Sequence, residues 1–144
     1  MAEELTDEEQ LVRRRAIVEV MGATPFLAGL GAVVDRYEPD DIRVRLPFRA
    51  DLTNDGAAYH GGVIASMIDT AGALAAWSNH DFHRGTRAAT VSMTVQYVSA
   101  ARHSDLVCDA RTVRRGRQLI FTEITATDAD GKVVAHGVQT YRIA

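Results

Sequence analysis

The spacing of apolar positions divides the chain into one amphipathic helix, two strands, one helix apolar on nearly every side, and four further strands. Residues 6 to 21 place Leu11, Val12, Ile17, Val18 and Met21 on one stripe, with Arg13 to Arg15 expected in solvent. Thr6 and Glu9 have capping-box spacing, and Gly22 is the expected stop. Thr24-Pro25 predicts a short second helix before Gly29 and Gly31. Residues 32 to 38 and 42 to 48 read as strands around the turn signal Pro39-Asp40-Asp41. In the second of them Ile42, Val44 and Leu46 alternate with Asp41, Arg43 and Arg45, giving one dry face and one wet face.

Residues 49 to 59 read as a loop. From Gly62 to about His80 the chain then carries almost no charge, which predicts a helix buried on nearly all sides rather than a membrane span. Gly72 in its middle costs about 1 kcal/mol relative to Ala, a loss that close packing against another backbone would offset. Thr90 to Ser99 alternates, with Val91, Met93, Val95 and Tyr97 expected on one face and Ser92, Thr94 and Gln96 on the other. Strands over 105–115, 118–128 and 132–143 complete the series, the last two joined by the hairpin turn Asp128-Ala129-Asp130-Gly131. Short turns between successive strands imply antiparallel pairing. The expected fold class is α+β: one antiparallel sheet of about six strands curled around one apolar helix. A chain of 144 residues suits one domain, read as a helical segment over 1–31 followed by the sheet-and-helix body over 32–144.

Composition narrows the function classes. Hydrophobic residues make up 47% and charged residues 24%, enough to build a core. A formal charge of −3 argues against a general nucleic-acid partner. The acidic N-terminus lacks the pattern of a signal peptide, and no apolar run approaches the roughly 20 residues of a bilayer crossing. Cys108, the single cysteine, forms no internal disulfide and no cysteine zinc site, and its strand position predicts inert core. A cytoplasmic protein without membrane or metal is expected.

The chemistry concentrates in Asn54-Asp55-Gly56-Ala57-Ala58-Tyr59-His60-Gly61-Gly62 and the helix that follows. Glycines at a helix start leave backbone N–H groups open to a ligand, and the helix dipole favours a negative oxygen there, so this is a candidate oxyanion site; a tight helix start alone would need the same residues. Asp69 is the sole acidic residue between Asp55 and Asp81 and sits inside the apolar helix. A carboxylate so placed needs partners or a task, whether a bond to a nearby hydroxyl such as Ser66 or Thr70 or a role in catalysis. At 1.5 Å per residue, Asp69 lies roughly 11 Å along the axis from the glycines. One carbonyl carbon does not reach both groups of one chain, so a shared site calls for a second protomer related by a two-fold axis.

Asn54, His60-Gly61-Gly62 and Asp69, at this spacing, resemble the motif of hotdog-fold acyl-CoA thioesterases, most closely the phenylacetic-acid-degradation type. Thr90 to Tyr97, Val113 to Arg117 and Asp130 to Gly137 are similar to strands of that family, and the likeness runs from about Val33 to Ile143. The resemblance implies a hotdog fold and a homodimer with sites at its interface that pairs into a dimer of dimers. It implies hydrolysis of an acyl- or aryl-CoA to the acid and coenzyme A, with no cofactor beyond the substrate's own coenzyme A. Carried over, Asp69 acts as base on water or as nucleophile, the Gly61 N–H holds the oxyanion, and Gly62 lies against the substrate. Asn54 places water or thioester, His60 orients the loop, and Thr90 stands where relatives often carry a serine that helps place the water.

Arg111, Arg114, Arg115 and Arg117 form a basic turn around Gly116. A solvated turn explains a charge run; by resemblance, Arg115, Gly116 and Arg117 would instead meet the nucleotide part of coenzyme A. His80-Asp81-Phe82-His83 is read as an exposed helix end rather than a metal site, and Trp77 as packing. A dehydratase or hydratase on this fold is disfavoured, since His-Phe-Pro and Asp-Xaa-Asn-Pro signatures are missing. A non-catalytic acyl-CoA sensor and a thioesterase acting on an acyl carrier protein remain as alternatives.

Overall fold

The computed structural model describes residues 4–144; residues 1–3, the start of the segment read as 1–31, lie outside the described part. Three helices, α1 (Asp7–Gly22), α2 (Pro25–Leu30) and α3 (Gly61–Ser78), accompany six strands. These are β1 (Val33–Glu38), β2 (Asp41–Leu46), β3 (Ala88–Tyr97), β4 (Leu106–Arg115), β5 (Leu119–Thr127) and β6 (Val133–Ile143). They form one antiparallel sheet in the order β1-β2-β4-β5-β6-β3, with α3 packed on its inner face. This is the hotdog fold, α+β, as expected.

Alternation builds the core. Ile42, Val44 and Leu46 of β2 are fully buried, as are Leu106 and Cys108 of β4 and Ile124 of β5, all facing α3. Burial pushes the Cys108 thiol up to about 12, which keeps it protonated and inert. The helix approaches the sheet closely because its contact residues are small: Ala71, Ala75 and Ala76 are fully buried, and a Cβ on Gly137 of β6 would stand 2.5 Å from Ile68 Cγ2. From Ala71 to Ser78 α3 is buried without a break, but Gly61 to Ser66, Asp69 and Thr70 include a half-open side.

Thr6 and Glu9 close the expected capping box of α1, with the Glu9 N–H donating to Thr6 Oγ1 and the Thr6 N–H donating to the Glu9 carboxylate. Its apolar stripe is only half used. Ile17 and Met21 pack on the core, whereas Leu11 and Val12 are exposed and Gln10 is the buried residue. The reason is what α1 covers: the polar C-terminal end of α3, whose last carbonyls need donors. Gln10 bonds Asp81 and the Phe82 N–H there, and Arg14, expected in solvent, donates from Nε to the His80 carbonyl at 2.7 Å. His80 is likewise not exposed as its helix-end position suggested; it is buried between Trp77 and Phe82, and its Nε2 meets the Gly85 carbonyl at 2.8 Å.

Two strands break their alternation by one residue. In β3, Thr90 pairs with Tyr141 and Ser92 with Thr140, leaving Val91 as the extra residue of a bulge. In β4, Thr112 pairs with Thr122 and Arg114 with Phe121, leaving Val113 extra. Val91, expected to share a face with Met93 and Val95, is therefore exposed, and Thr90 takes the inner face with them instead.

Candidate active site

Asp69 projects from the half-open side of α3 toward the end of the sheet formed by β6 and β3. Neither Ser66 nor Thr70 bonds its carboxylate; each hydroxyl donates instead to the backbone carbonyl four residues earlier, as is common for hydroxyls inside helices. The partners come from the sheet. Thr90 Oγ1 donates to Asp69 Oδ1 at 2.7 Å, and Gln139 Nε2 donates to the same oxygen at 2.7 Å and to the Asp69 backbone carbonyl at 2.9 Å. No donor among the described residues reaches Oδ2, so one carboxylate oxygen is held and the other is open. The offset to Gly72 is not another backbone but the Gln139 side chain: a Cβ on Gly72 would stand 2.6 Å from Gln139 Cδ.

The glycines of the expected oxyanion site stand at the N-terminus of α3. His60 is the N-cap, and its Nδ1 accepts from the Gly62 N–H at 2.8 Å. The Gly62 donor is thus occupied, while the Gly61 N–H carries no hydrogen bond among the described residues. Tyr97 of β3 donates from its hydroxyl to the Gly61 carbonyl at 3.0 Å, leaving the N–H side clear. Asn54 is exposed in the preceding loop and is anchored through its backbone N–H to the Ala58 carbonyl. Asp69 with Thr90 is one cluster and Gly61 with His60 another, eight residues apart on α3, about 12 Å along its axis.

The basic turn is divided as well. The bulge at Val113 carries Arg115 inward, where it donates to the Ala76 carbonyl at 2.8 Å, the Ala75 carbonyl at 3.2 Å and Asp40 Oδ1 at 2.7 Å. Arg115 therefore caps the C-terminus of α3. Burial alone would raise the Asp40 carboxyl, but hydrogen bonds from Arg115 and Asn79 outweigh it and hold the group below its usual range. Gly116 closes the turn through its N–H to the Leu119 carbonyl, and Arg117 is exposed beside it.

A cleft of about 280 Å³ opens at Asp69, lined also by Ser66, Thr70, Thr90, Tyr141 and Phe26. An apolar cavity of about 220 Å³ shares Met21, Leu27 and Thr70 with it and runs on between α1, α2 and α3 to Val34, Val44 and Leu74.

A family model for the thioesterase superfamily matches residues 57–135, the stretch that contains α3, β3, β4, β5 and the start of β6. The chain belongs to the thioesterase superfamily. It is 35% identical over 127 residues to a candidate esterase of Halobacterium salinarum, covering 82% of this chain and 83% of that one. It is 29% identical over 104 residues to acyl-coenzyme A thioesterase 13 of Homo sapiens, covering 71% and 72%. The solved structure of a thioesterase family protein from Silicibacter pomeroyi superposes with a TM-score of 0.82 at 26% identity over 91% of this chain and 99% of that one.

Membership makes this protein a thioester hydrolase, and the half-held carboxylate is the group of this thioesterase suited to the chemistry. Sequence reasoning missed Gln139. Its signal was a single amide at a dry-face position of β6, in register with Ala135, Gly137, Tyr141 and Ile143. The α1–α2 hairpin that walls the cavity lies before the residues that the superfamily model matches.

Proposed function

We propose that this thioesterase hydrolyses acyl-coenzyme A thioesters, with Asp69 as the base that activates water. The observation that carries the reading is the Asp69 carboxylate with Oδ1 held by Thr90 and Gln139 and Oδ2 open to a cleft that shares Met21, Leu27 and Thr70 with an apolar cavity. The motif carried by Asn54, His60, Gly61 and Asp69 supports the phenylacetic-acid-degradation type. A water that donates one hydrogen to Asp69 Oδ2 can donate the other to Thr90 Oγ1, whose own hydrogen is committed to Oδ1, leaving the water's lone pairs free to attack; this favours general-base over nucleophilic catalysis. Asp69 takes the water proton as its oxygen bonds the thioester carbon. The resulting oxyanion is held by a Gly61 N–H, the C–S bond breaks, and the proton passes to the coenzyme A sulfur to leave acid and thiol. His60 keeps the Gly61 loop in shape by capping Gly62, and Asn54, exposed in the loop before it, is the side chain we assign to meet the thioester.

The separation of Asp69 from Gly61 on one helix supports a site shared by two protomers, each giving one cluster. β3 ends the sheet with ten residues and an unpaired edge, a strand able to pair with its own copy and bring two α3 helices side by side. Arg117, exposed beside Gly116, is the guanidinium of the basic turn left to meet the coenzyme A phosphates, since Arg115 is engaged by α3. A dry cavity of about 150 Å³ accepts a benzene ring, so the 220 Å³ here suits an acyl group of roughly six to eight carbons or a phenyl group with a short arm.

The test is thiol release from a panel of acyl- and aryl-CoAs by wild type and Asp69→Asn. Turnover on at least one thioester, slowed about 100-fold or more by Asp69→Asn, is expected. Binding of coenzyme A thioesters without hydrolysis would replace this reading with that of a sensor, and turnover confined to acyl carrier protein thioesters would change the substrate.

A further inference from the structure

Gln139 is 2% exposed on the inner face of β6, flanked in register by Met93 of β3 and Thr122 of β5. Its amide orientation follows from its neighbours. Both Asp69 oxygens within reach, Oδ1 and the backbone carbonyl, only accept, so Nε2 must face them. That leaves Oε1 buried against Gly72 without a partner, a position that costs about 1–3 kcal/mol. The arrangement also requires Gly at position 72, in the middle of a helix, where Ala would be about 1 kcal/mol better. An apolar residue at 139 and Ala at 72 would remove both penalties and fill the same space. Local rules broken together at one place, with no packing gain, mark a functional constraint.

We propose that Gln139 is a positioning residue for the Asp69 carboxylate, a role that rests on the reading of Asp69 as the base. Thr90 donates to Oδ1 from β3 and Gln139 from β6, so two strands fix the rotation of the carboxylate about its last torsion. With Oδ1 saturated, the lone pairs of Oδ2 are directed into the cleft where water is deprotonated. The second bond of Gln139, to the Asp69 carbonyl, ties the helix backbone to β6 at the same residue, so the carboxylate neither rotates nor shifts along the sheet. Misplacement of a catalytic group by about 1 Å lowers rate by roughly 100-fold, which sets the scale of the effect.

The experiment compares Gln139→Met and Gln139→Glu with wild type and Asp69→Asn on one acyl-CoA, measuring kcat and KM across pH. Tyr141 is the other titratable side chain lining the cleft among the described residues. Burial first, and the Asp69 charge after it, hold its phenol above the usual range, so it stays protonated throughout. Gln139→Met should lower kcat about 10-fold or more with KM within about threefold, since the lost contact acts on the base rather than on substrate. Gln139→Glu is isosteric, so it carries the test even if the Met variant does not fold. While protonated it donates to Oδ1 as Gln139 does, and once ionised it repels the Asp69 carboxylate; its kcat should fall as pH rises through that ionisation, a loss not expected in wild type. Both variants turning over like wild type, with an unchanged profile, while Asp69→Asn is inactive, would overturn the positioning role and leave Asp69 as base. Loss of activity explained wholly by a lost folded fraction, with normal kcat and profile in what remains folded, would overturn it too. Full activity in Asp69→Asn would overturn both readings.

Discussion

Thr90 reaches Asp69 across a β-bulge: its hydroxyl donates to Oδ1 at 2.7 Å because Val91 is the extra residue that turns Thr90 onto the inner face of β3. Without that extra residue the alternation that buries Met93 and Val95 would point Thr90 outward. Thr90→Val keeps the shape and removes the donor; a hydrogen bond to a charged group contributes about 1.5–3 kcal/mol, so kcat should fall about 10-fold or more. Thr90→Ser keeps the donor and should stay within about threefold of wild type. Steady-state thiol release on both variants decides it, and a fully active Thr90→Val would contradict the assignment.

Gly72→Ala tests the notch beneath Asp69 from the other side. Helix propensity alone would make it stabilising by about 1 kcal/mol. Instead the Cβ would meet the Gln139 amide, so a loss of about 1–3 kcal/mol is expected as the crowded side chain moves. Denaturant unfolding gives the sign, and a net gain in stability would show that the two side chains separate freely.

Arg115 should behave as a structural residue. Its removal strands three acceptors, the carbonyls of Ala75 and Ala76 and the Asp40 carboxylate, so Arg115→Met should destabilise by about 2 kcal/mol. Since Asp40 is held below its usual range, its contribution is present above the ordinary carboxylate value and lost as pH falls through the lower folded-state value. The acid limb of the unfolding profile should therefore flatten in Arg115→Met. A variant with unchanged stability and a raised KM for acyl-CoA would return Arg115 to the nucleotide site.

His80 sets a second pH dependence. Burial lowers its affinity for a proton, outweighing the opposing hydrogen bond to the Gly85 carbonyl, and the Arg115 charge adds to it. A folded-state value below the unfolded one means stability that is complete above about 6.5 and lost as pH falls below it. Melting temperature should drop between pH 7 and pH 5, and His80→Asn should flatten that slope. An unchanged slope in the variant would place the acid sensitivity elsewhere.

The apolar cavity makes a prediction about chain length. Val18 lines it on α1 without lining the Asp69 cleft. Val18→Phe should fill part of it and raise KM for six- to eight-carbon acyl-CoAs about 10-fold, consistent with losing roughly 1–3 kcal/mol of pocket contact, while acetyl-CoA is unaffected. Equal effects on all chain lengths would show that the acyl group lies elsewhere.

The sequence by itself determined the elements and the family. Capping of α1 by Thr6 and Glu9, the Pro25 start of α2, the dry faces of β2 and β5 and the apolar α3 are written in short-range chemistry: caps, turns and apolar periods of two and 3.6. So was the motif, because His60 caps the one helix that carries Gly61 and Asp69, and helix geometry is local. Which side chains surround Asp69 was decided only by tertiary structure. Thr90 and Gln139 come from strands whose placement beneath α3 depends on pairing between β3 and β6, and a bulge that inverts the face of Thr90 has no short-range signature in Ala88-Ala89-Thr90-Val91. The same inversion at Val113 took Arg115 from the solvated turn that its neighbours suggested to the end of α3. Alternation tells which residues share a face only while the register is unbroken, and register is a property of two strands, set by contacts far apart along the chain.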